Sequence, residues 1–255
     1  MIKKEIRIFF TALMFFTRIP CPPSTDHSEE YLNRASKYFT LVGIIVGALV
    51  ALSYWLFSFL FNNDISILLS FVISLLITGA FHEDGLADVC DGFGGGWTKE
   101  KILDIMKDSR VGTYGAAGLV LILAIKFTSL AQIRPELMVL TLISGHAISR
   151  LTSVSLIYTE EYAREDLLSK AKPLATKMSH PDFLVAALFG LAPLFLFQNY
   201  YIFLALIPLF LIKLYFSKYF NKWIGGYTGD CLGAVQQIAE VVYYLGLILV
   251  FKYFG

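Results

Sequence analysis

Leu41-Val42-Gly43-Ile44-Ile45-Val46-Gly47-Ala48-Leu49-Val50-Ala51-Leu52-Ser53-Tyr54-Trp55-Leu56-Phe57-Ser58-Phe59-Leu60-Phe61 runs without one charged side chain. A hydrocarbon layer about 30 Å thick takes about 20 helical residues to cross. A helix also satisfies its own backbone polar groups there, so this stretch reads as a membrane span. The whole chain agrees with it: 56% of its 255 residues are hydrophobic, 16% are charged, and the mean hydropathy is +0.65. That charged share is well below the roughly 25% of a water-soluble domain, and an ordinary soluble enzyme is excluded.

Seven spans can be drawn: 41–61, 65–81, 115–133, 137–157, 183–198, 200–217 and 233–253. The first two are joined by Asn62, Asn63 and Asp64, the next two by Arg134, Pro135 and Glu136, and the fifth and sixth around Asn199. Such tight connections make antiparallel hairpins. The long segments, 1–40, 82–114, 158–182 and 218–232, then share the other side. The expected fold is an all-α polytopic bundle forming one integral membrane domain over residues 1–255.

Lys and Arg set the orientation. Sixteen of the 21 fall in the long segments, whereas only Arg134 and Lys252 lie on the short side. Basic residues near span ends are retained inside the cell, so the N-terminus and the long loops are expected in the cytoplasm, with the chain multi-pass in the cell (inner) membrane. Residues 5–17 follow Lys3 and Lys4 and resemble a signal peptide, but Arg18 and Pro20 interrupt the run and no small-residue cleavage site follows. A stripe of Ile6, Phe9, Phe10 and Leu13 opposite Lys3, Arg7 and Thr11 predicts an interfacial amphipathic helix instead. Cys21, Cys90 and Cys231 are too widely spaced for a zinc or disulfide pattern.

Chemistry therefore falls to the long loops. The first opens His82-Glu83-Asp84-Gly85-Leu86-Ala87-Asp88-Val89-Cys90-Asp91-Gly92. If the helix of 65–81 continues, Asp84, Asp88 and Asp91 stand at i, i+4 and i+7, within an arc of roughly 60°. Three converging carboxylates call for a cation, and all-oxygen ligation suits Mg²⁺ or Mn²⁺ rather than zinc. Gly92, Gly94, Gly95 and Gly96 are then expected to break the helix before an amphipathic stretch, Thr98 to Ser109. Lys107 and Arg110 behind it are placed to clamp a phosphate.

The last loop holds a second block, Gly225-Gly226-Tyr227-Thr228-Gly229-Asp230-Cys231-Leu232-Gly233-Ala234. A helix starting near Asp230 carries Asp230, Gly233, Gln237 and Glu240 on one stripe into the membrane. An acid at that depth needs a partner, and Arg150 with His146 on the fourth span offers one.

These residues together resemble the cobalamin synthase (adenosylcobinamide-GDP ribazoletransferase) family over nearly the whole chain. The resemblance runs through Phe16 to Pro20, Arg34 to Gly43, most strongly His82 to Gly92, then Asp104 to Gly115, Tyr162-Ala163-Arg164, and Gly225 to Ala234 with Glu240. Thr40 stands where the family usually has proline. The resemblance implies a Mg²⁺-dependent joining of α-ribazole, or its 5′-phosphate, to adenosylcobinamide-GDP with release of GMP. On this reading Asp84, Asp88, Asp91, Asp108 and Asp230 are candidate metal ligands. Asp91, Lys107 and Arg110 are the candidate catalytic residues, and His82, Arg164 and Thr228 the candidate substrate contacts.

Membrane lipid is the expected surround, no nucleic acid is expected as a partner, and an oligomer stays open. Two other readings compete. A CDP-alcohol phosphotransferase would need a longer Asp-Gly-Ala-Arg pattern that is missing here. An ion-coupled transporter would run its path through Lys126, His146, Arg150 and Glu240.

Overall fold

The structure, a computed structural model, describes residues 2–163 apart from Ser24 and His27, residue 176, and residues 178–255. Eleven α-helices are described: α1 (Ile2–Phe16), α2 (Glu29–Ala35), α3 (Phe39–Phe57), α4 (Asn63–Thr78), α5 (Phe81–Gly95), α6 (Lys99–Ile105), α7 (Thr113–Leu130), α8 (Pro135–Thr159), α9 (His180–Leu191), α10 (Leu206–Ile224) and α11 (Gly229–Phe254). Among the described residues the sole β-type contact is a parallel bridge between Tyr162 and Tyr227. The fold is an all-α bundle.

Five helical stretches are long and apolar enough to cross a membrane: Glu30–Phe57, Thr113–Leu130, Pro135–Thr159, Tyr200–Ile224 and Gly229–Phe254. Two of the seven expected spans differ. The stretch 183–198 becomes a shorter apolar segment, His180–Leu196, because Pro193 cannot continue an α-helix and the chain tightens into a 3₁₀ turn at Ala192–Leu196.

The second difference matters more for the site. The span at 65–81 does not run on into the aspartates: α4 stops at Thr78, and α5 leaves it at 89°. Gly79 (φ 67) and Ala80 (φ 57) both adopt the left-handed conformation, which no α-helix can accommodate. At Ala80 that conformation costs about 1–2 kcal/mol. The bend is anchored from outside, since Arg18 donates its backbone N–H to Ile77 O at 2.7 Å and lays its guanidinium where a side chain at Gly79 would stand. With 16 residues, α4 reaches only about 24 Å.

Local signals set the other ends. Asn62 caps α4 by accepting from Ile65 N at 3.0 Å, and Pro135 occupies the first turn of α8, where its missing N–H costs nothing. Two apolar cores result. The larger joins Val42, Val46 and Val50 of α3 to Met138 and Leu142 of α8 and Tyr243, Tyr244 and Leu247 of α11. The smaller lies under α5, where Leu86 and Val89 meet Ile102 and Met106 from the α6 region and Cys231, Leu232 and Val235 of α11.

The N-terminal helix is amphipathic, but its faces are divided differently from the expectation. Thr11 is fully buried and donates to Asp26 O at 2.9 Å. Ile8, Ala12, Leu13 and Phe16 pack inward while Ile2 and Ile6 are exposed. Thr40 uses its hydroxyl to tie α3 to α9, donating to Ala186 O at 2.9 Å.

Candidate functional site

α5 is the platform of the site. Its inner face carries Gly85, Leu86, Val89 and Gly92, all buried, and the periodicity leaves Asp84 exposed with Asp88 and Asp91 half-buried. The i, i+4, i+7 facing therefore holds, on a helix of its own rather than on an extended span. The helix also runs past Gly92 to Gly95. Its glycines serve packing instead of a phosphate loop: side chains at Gly92, Gly94 and Gly96 would collide with Met106, Tyr114 and Ile102.

Asp91 is engaged by another helix. The amides of Gly112 and Gly115 donate to its two oxygens at 2.7 and 2.9 Å. These are orphan donors of the first turn of α7, so Asp91 acts as an anionic cap supplied from α5. The candidate base is thereby held by two amides.

Asp108 and Arg110 bind each other. The guanidinium grips both carboxylate oxygens, with Nε at 3.0 and 3.1 Å, and the Arg110 amide donates to Oδ1 at 3.1 Å. The Arg110 side-chain bonds, then its backbone amide, lower the Asp108 carboxyl to about 2. The guanidinium is still 87% exposed, and Lys107 is exposed as well, so both cations face outward beside α5.

The second motif block meets the first where α5 crosses α11. A β-carbon at Gly85 would stand 2.9 Å from Asp230 O and 3.0 Å from Asp230 Cα, and one at Gly233 would stand 3.3 Å from His82 Cα. At Gly85 only hydrogen fits, at Gly233 a β-carbon would be tight, and the crossing brings the half-buried Asp230 beside the first turn of α5. Thr228 is buried and caps α11 by accepting from Cys231 N at 3.3 Å. His82 is also buried, stacked on Phe39 at 5.6 Å, so the side chains of both points sit inside the fold. Arg164 lies outside the described residues, as do most positions between it and Lys177. Ahead of it, Ala163 N–H donates to Tyr227 O (2.9 Å) and Tyr227 N–H to Glu161 O (3.0 Å), tying two long connections together.

Of the expected pair, His146 does face Glu240, its Nε2 lying 3.9 Å from Oε1, but the close partner is neither His146 nor Arg150. Lys126 of α7 approaches Glu240 Oε1 at 2.6 Å, while Arg150 donates to His146 O at 2.9 Å and lies over the Phe39 ring. Helical spacing within α8 and α11 carries no information about α7, so the Lys126 partnership is visible only in the fold. All four groups are at most 4% exposed. Glu83 is the residue that reasoning from the motif passed over: it is 7% exposed and bonded to Gln237. Its place between His82 and Asp84 was the available signal.

Among the described residues no three His, Cys, Asp or Glu side chains are grouped to hold a metal ion by themselves. Asp84 and Asp88 do present hard carboxylate oxygens one helical turn apart on the open face of α5. That set fits Mg²⁺, which usually takes one or two carboxylates and completes its shell with water and substrate phosphates.

Comparison with known proteins bears directly on this arrangement. Residues 8–248 match the model of a family described as cobalamin-5-phosphate synthase. The chain is 45% identical over 250 residues to the adenosylcobinamide-GDP ribazoletransferase of Shewanella frigidimarina, covering 97% of this chain and 96% of the relative. It is 46% identical over 256 residues to the protein of that name from Leptospira interrogans, covering 96% of each. The match to the one from Shewanella amazonensis is 45% over 254 residues, covering 98% of each. No solved structure matches the chain significantly. With the family model spanning nearly the whole bundle and both glycine-aspartate blocks inside it, the chain belongs to the cobalamin-5-phosphate synthase family.

Proposed function

We propose that this chain joins α-ribazole, or α-ribazole 5′-phosphate, to adenosylcobinamide-GDP and releases GMP. The observation that carries the reading is the crossing of Gly85 with the Asp230 backbone, which gathers the two motif blocks of this family at one end of the bundle. The names of the relatives supply the donor and the transferred group.

In the reaction a secondary ribose hydroxyl of the ribazole, free whether or not the 5′ position carries a phosphate, attacks the phosphorus bonded to cobinamide. A new P–O bond forms, the pyrophosphate bond to GMP breaks, GMP leaves with the bonding electron pair, and the hydroxyl proton passes to water. Such a transfer asks the protein mainly for alignment and for neutralising charge. Mg²⁺, when bound, supplies charge neutralisation on the phosphoryl oxygens. Asp84 and Asp88 would hold it, with Asp230 across the crossing. Lys107 and Arg110 are exposed cations suited to the departing GMP phosphate, Arg110 after exchanging its Asp108 partner for substrate. Asp91 is suited to holding α7 against α5, with both oxygens already accepting amides.

The sixteen-to-two distribution of Lys and Arg, counted with α4 and the His180–Leu196 segment as crossings, supports a cytoplasmic mouth. Reporter fusions in the α6–α7 connection reading as cytoplasmic would agree, and a periplasmic reading would reverse the topology. The activity itself is tested by giving the purified chain adenosylcobinamide-GDP, α-ribazole and Mg²⁺. GMP and a nucleotide-loop corrinoid should appear in equal amounts. GMP without the joined corrinoid would make the chain a hydrolase, and neither product would remove the assignment.

A further inference from the structure

Glu83 and Asp84 are neighbours on α5 with opposite surroundings. Successive helical residues point about 100° apart, so Asp84 is exposed while Glu83 is buried against α11. There Gln237 Nε2 donates to Glu83 Oε1 at 3.0 Å. Gln237 stands one turn beyond Gly233, the glycine that lets the two helices touch. The glycines set how closely α5 and α11 approach, but a contact of bare backbone offers little resistance to sliding or turning. A directional hydrogen bond does.

The bond is also fastened behind. Gln237 Nε2 reaches Gln236 Oε1 at 2.9 Å, Gln236 Nε2 donates to Glu240 Oε2 at 2.8 Å, and Glu240 Oε1 meets Lys126 at 2.6 Å. Ser149 of α8 holds the same Gln236 amide at 3.0 Å. The register of α5 is thus wired through α11 to α7 and α8. Slipping α5 by one residue would move each of its carboxylates about 1.5 Å along the axis and about 100° around it. Burying a carboxylate is costly, and an apolar residue would pack at 83 more cheaply. What the carboxylate provides there is a fixed register.

We propose that the Glu83–Gln237 hydrogen bond is a positioning latch, holding α5 in the one register at which Asp84 and Asp88 face the same substrate pyrophosphate as Asp230. This rests on the reading of Asp84 and Asp88 as metal and phosphate side chains. Glu83 does not touch substrate. It acts through its neighbours, and its effect is read in turnover and in the Mg²⁺ requirement.

The test uses the full-length chain purified in detergent and four variants: Glu83→Ala, Gln237→Ala, the two together, and the exchange Glu83→Gln with Gln237→Glu. GMP release is followed against Mg²⁺ and α-ribazole concentration. Each alanine variant should lower kcat by about 10- to 100-fold and raise the Mg²⁺ needed for half-maximal rate, as a misplacement of about 1 Å does. KM for α-ribazole should stay within about threefold, because the binding groups themselves are intact. The double variant should be no worse than the poorer single one. The exchange rebuilds an amide–carboxylate bond with the partners reversed and should recover most of the lost turnover.

An exchange variant that is folded yet as poor as Glu83→Ala would overturn the latch, because Glu83 would then be needed for itself. Wild-type turnover in Gln237→Ala would overturn it too, and decides the matter if the Glu83 variants fail to fold. Asp84→Ala run alongside separates the two ideas. If it keeps full activity the carboxylate reading fails, whereas if it is inactive while the latch variants are not, only the latch fails.

Discussion

Asp91 accepts the amide of Gly112 at 2.7 Å, so a carboxylate on α5 closes the first turn of α7. Its other oxygen takes the Gly115 amide. Two charge-assisted bonds and the helix dipole make this contact worth about 1–3 kcal/mol. Asp91→Ala should lower both activity and thermal stability in detergent. Unchanged melting would mean that Asp91 holds nothing and belongs wholly to the chemistry.

Lys126 and Glu240 form a buried ion pair 2.6 Å apart. Removing one partner strands the other, at a cost of roughly 3–5 kcal/mol, while replacing both with apolar side chains is far milder. Glu240→Leu alone should therefore melt well below the wild type, and Lys126→Met with Glu240→Leu should recover most of the loss. A double variant as unstable as the single one would show that Gln236 and Tyr244, which also donate to Glu240, carry the larger share of the loss.

The Asp108 carboxyl, lowered to about 2 by Arg110, titrates below an unfolded aspartate at about 3.9. A depressed folded value means that its contribution to stability is complete above about pH 4 and disappears as pH falls toward 2. Being on the surface, it contributes little. A carbon-detected NMR titration should place Asp108 below an ordinary aspartate, and Arg110→Ala should return it to the usual range. A normal Asp108 titration with Arg110 in place would refute the pairing.

Gly85 has no room for a side chain, since a β-carbon there would lie 2.9 Å from a backbone oxygen of Asp230. Backbone cannot swing aside as a side chain can, so Gly85→Ala must push α5 off α11. A shift of about 1 Å at this point should cost on the order of 100-fold in turnover. Steady-state rates at saturating Mg²⁺ check it, and a variant within twofold of wild type would show that the crossing does not set the geometry of the site.

Much of this was legible beforehand, for physical reasons that also mark where legibility stopped. An uncharged run such as Leu41–Phe61 has one stable arrangement in lipid, and the spacing of Asp84, Asp88 and Asp91 survives on any α-helix. The bend at Gly79 and Ala80 was hidden because the apolar pattern runs through it. The two left-handed residues are recognisable only once Arg18 is seen against Gly79. Gly92 to Gly96 looked like a loop because glycine weakens isolated helices, yet here packing against α6 and Tyr114 outweighs propensity. Lys126 as the partner of Glu240, and Gln237 as that of Glu83, depend on which helices are neighbours in space, which no spacing within one helix reveals.

The most direct measurement is Mg²⁺-dependent GMP release from adenosylcobinamide-GDP by the Asp84→Ala protein. Asp84 is exposed on α5 and makes no ion pair or side-chain hydrogen bond among the described residues, so its removal should leave the fold and its melting temperature unchanged. The Asp84→Ala protein should be folded, with GMP release lower by on the order of 1,000-fold or more, as expected when charge stabilisation at the reacting phosphate is lost. A folded Asp84→Ala protein that still releases GMP at the wild-type rate would contradict the reading of Asp84 as a metal and phosphate side chain.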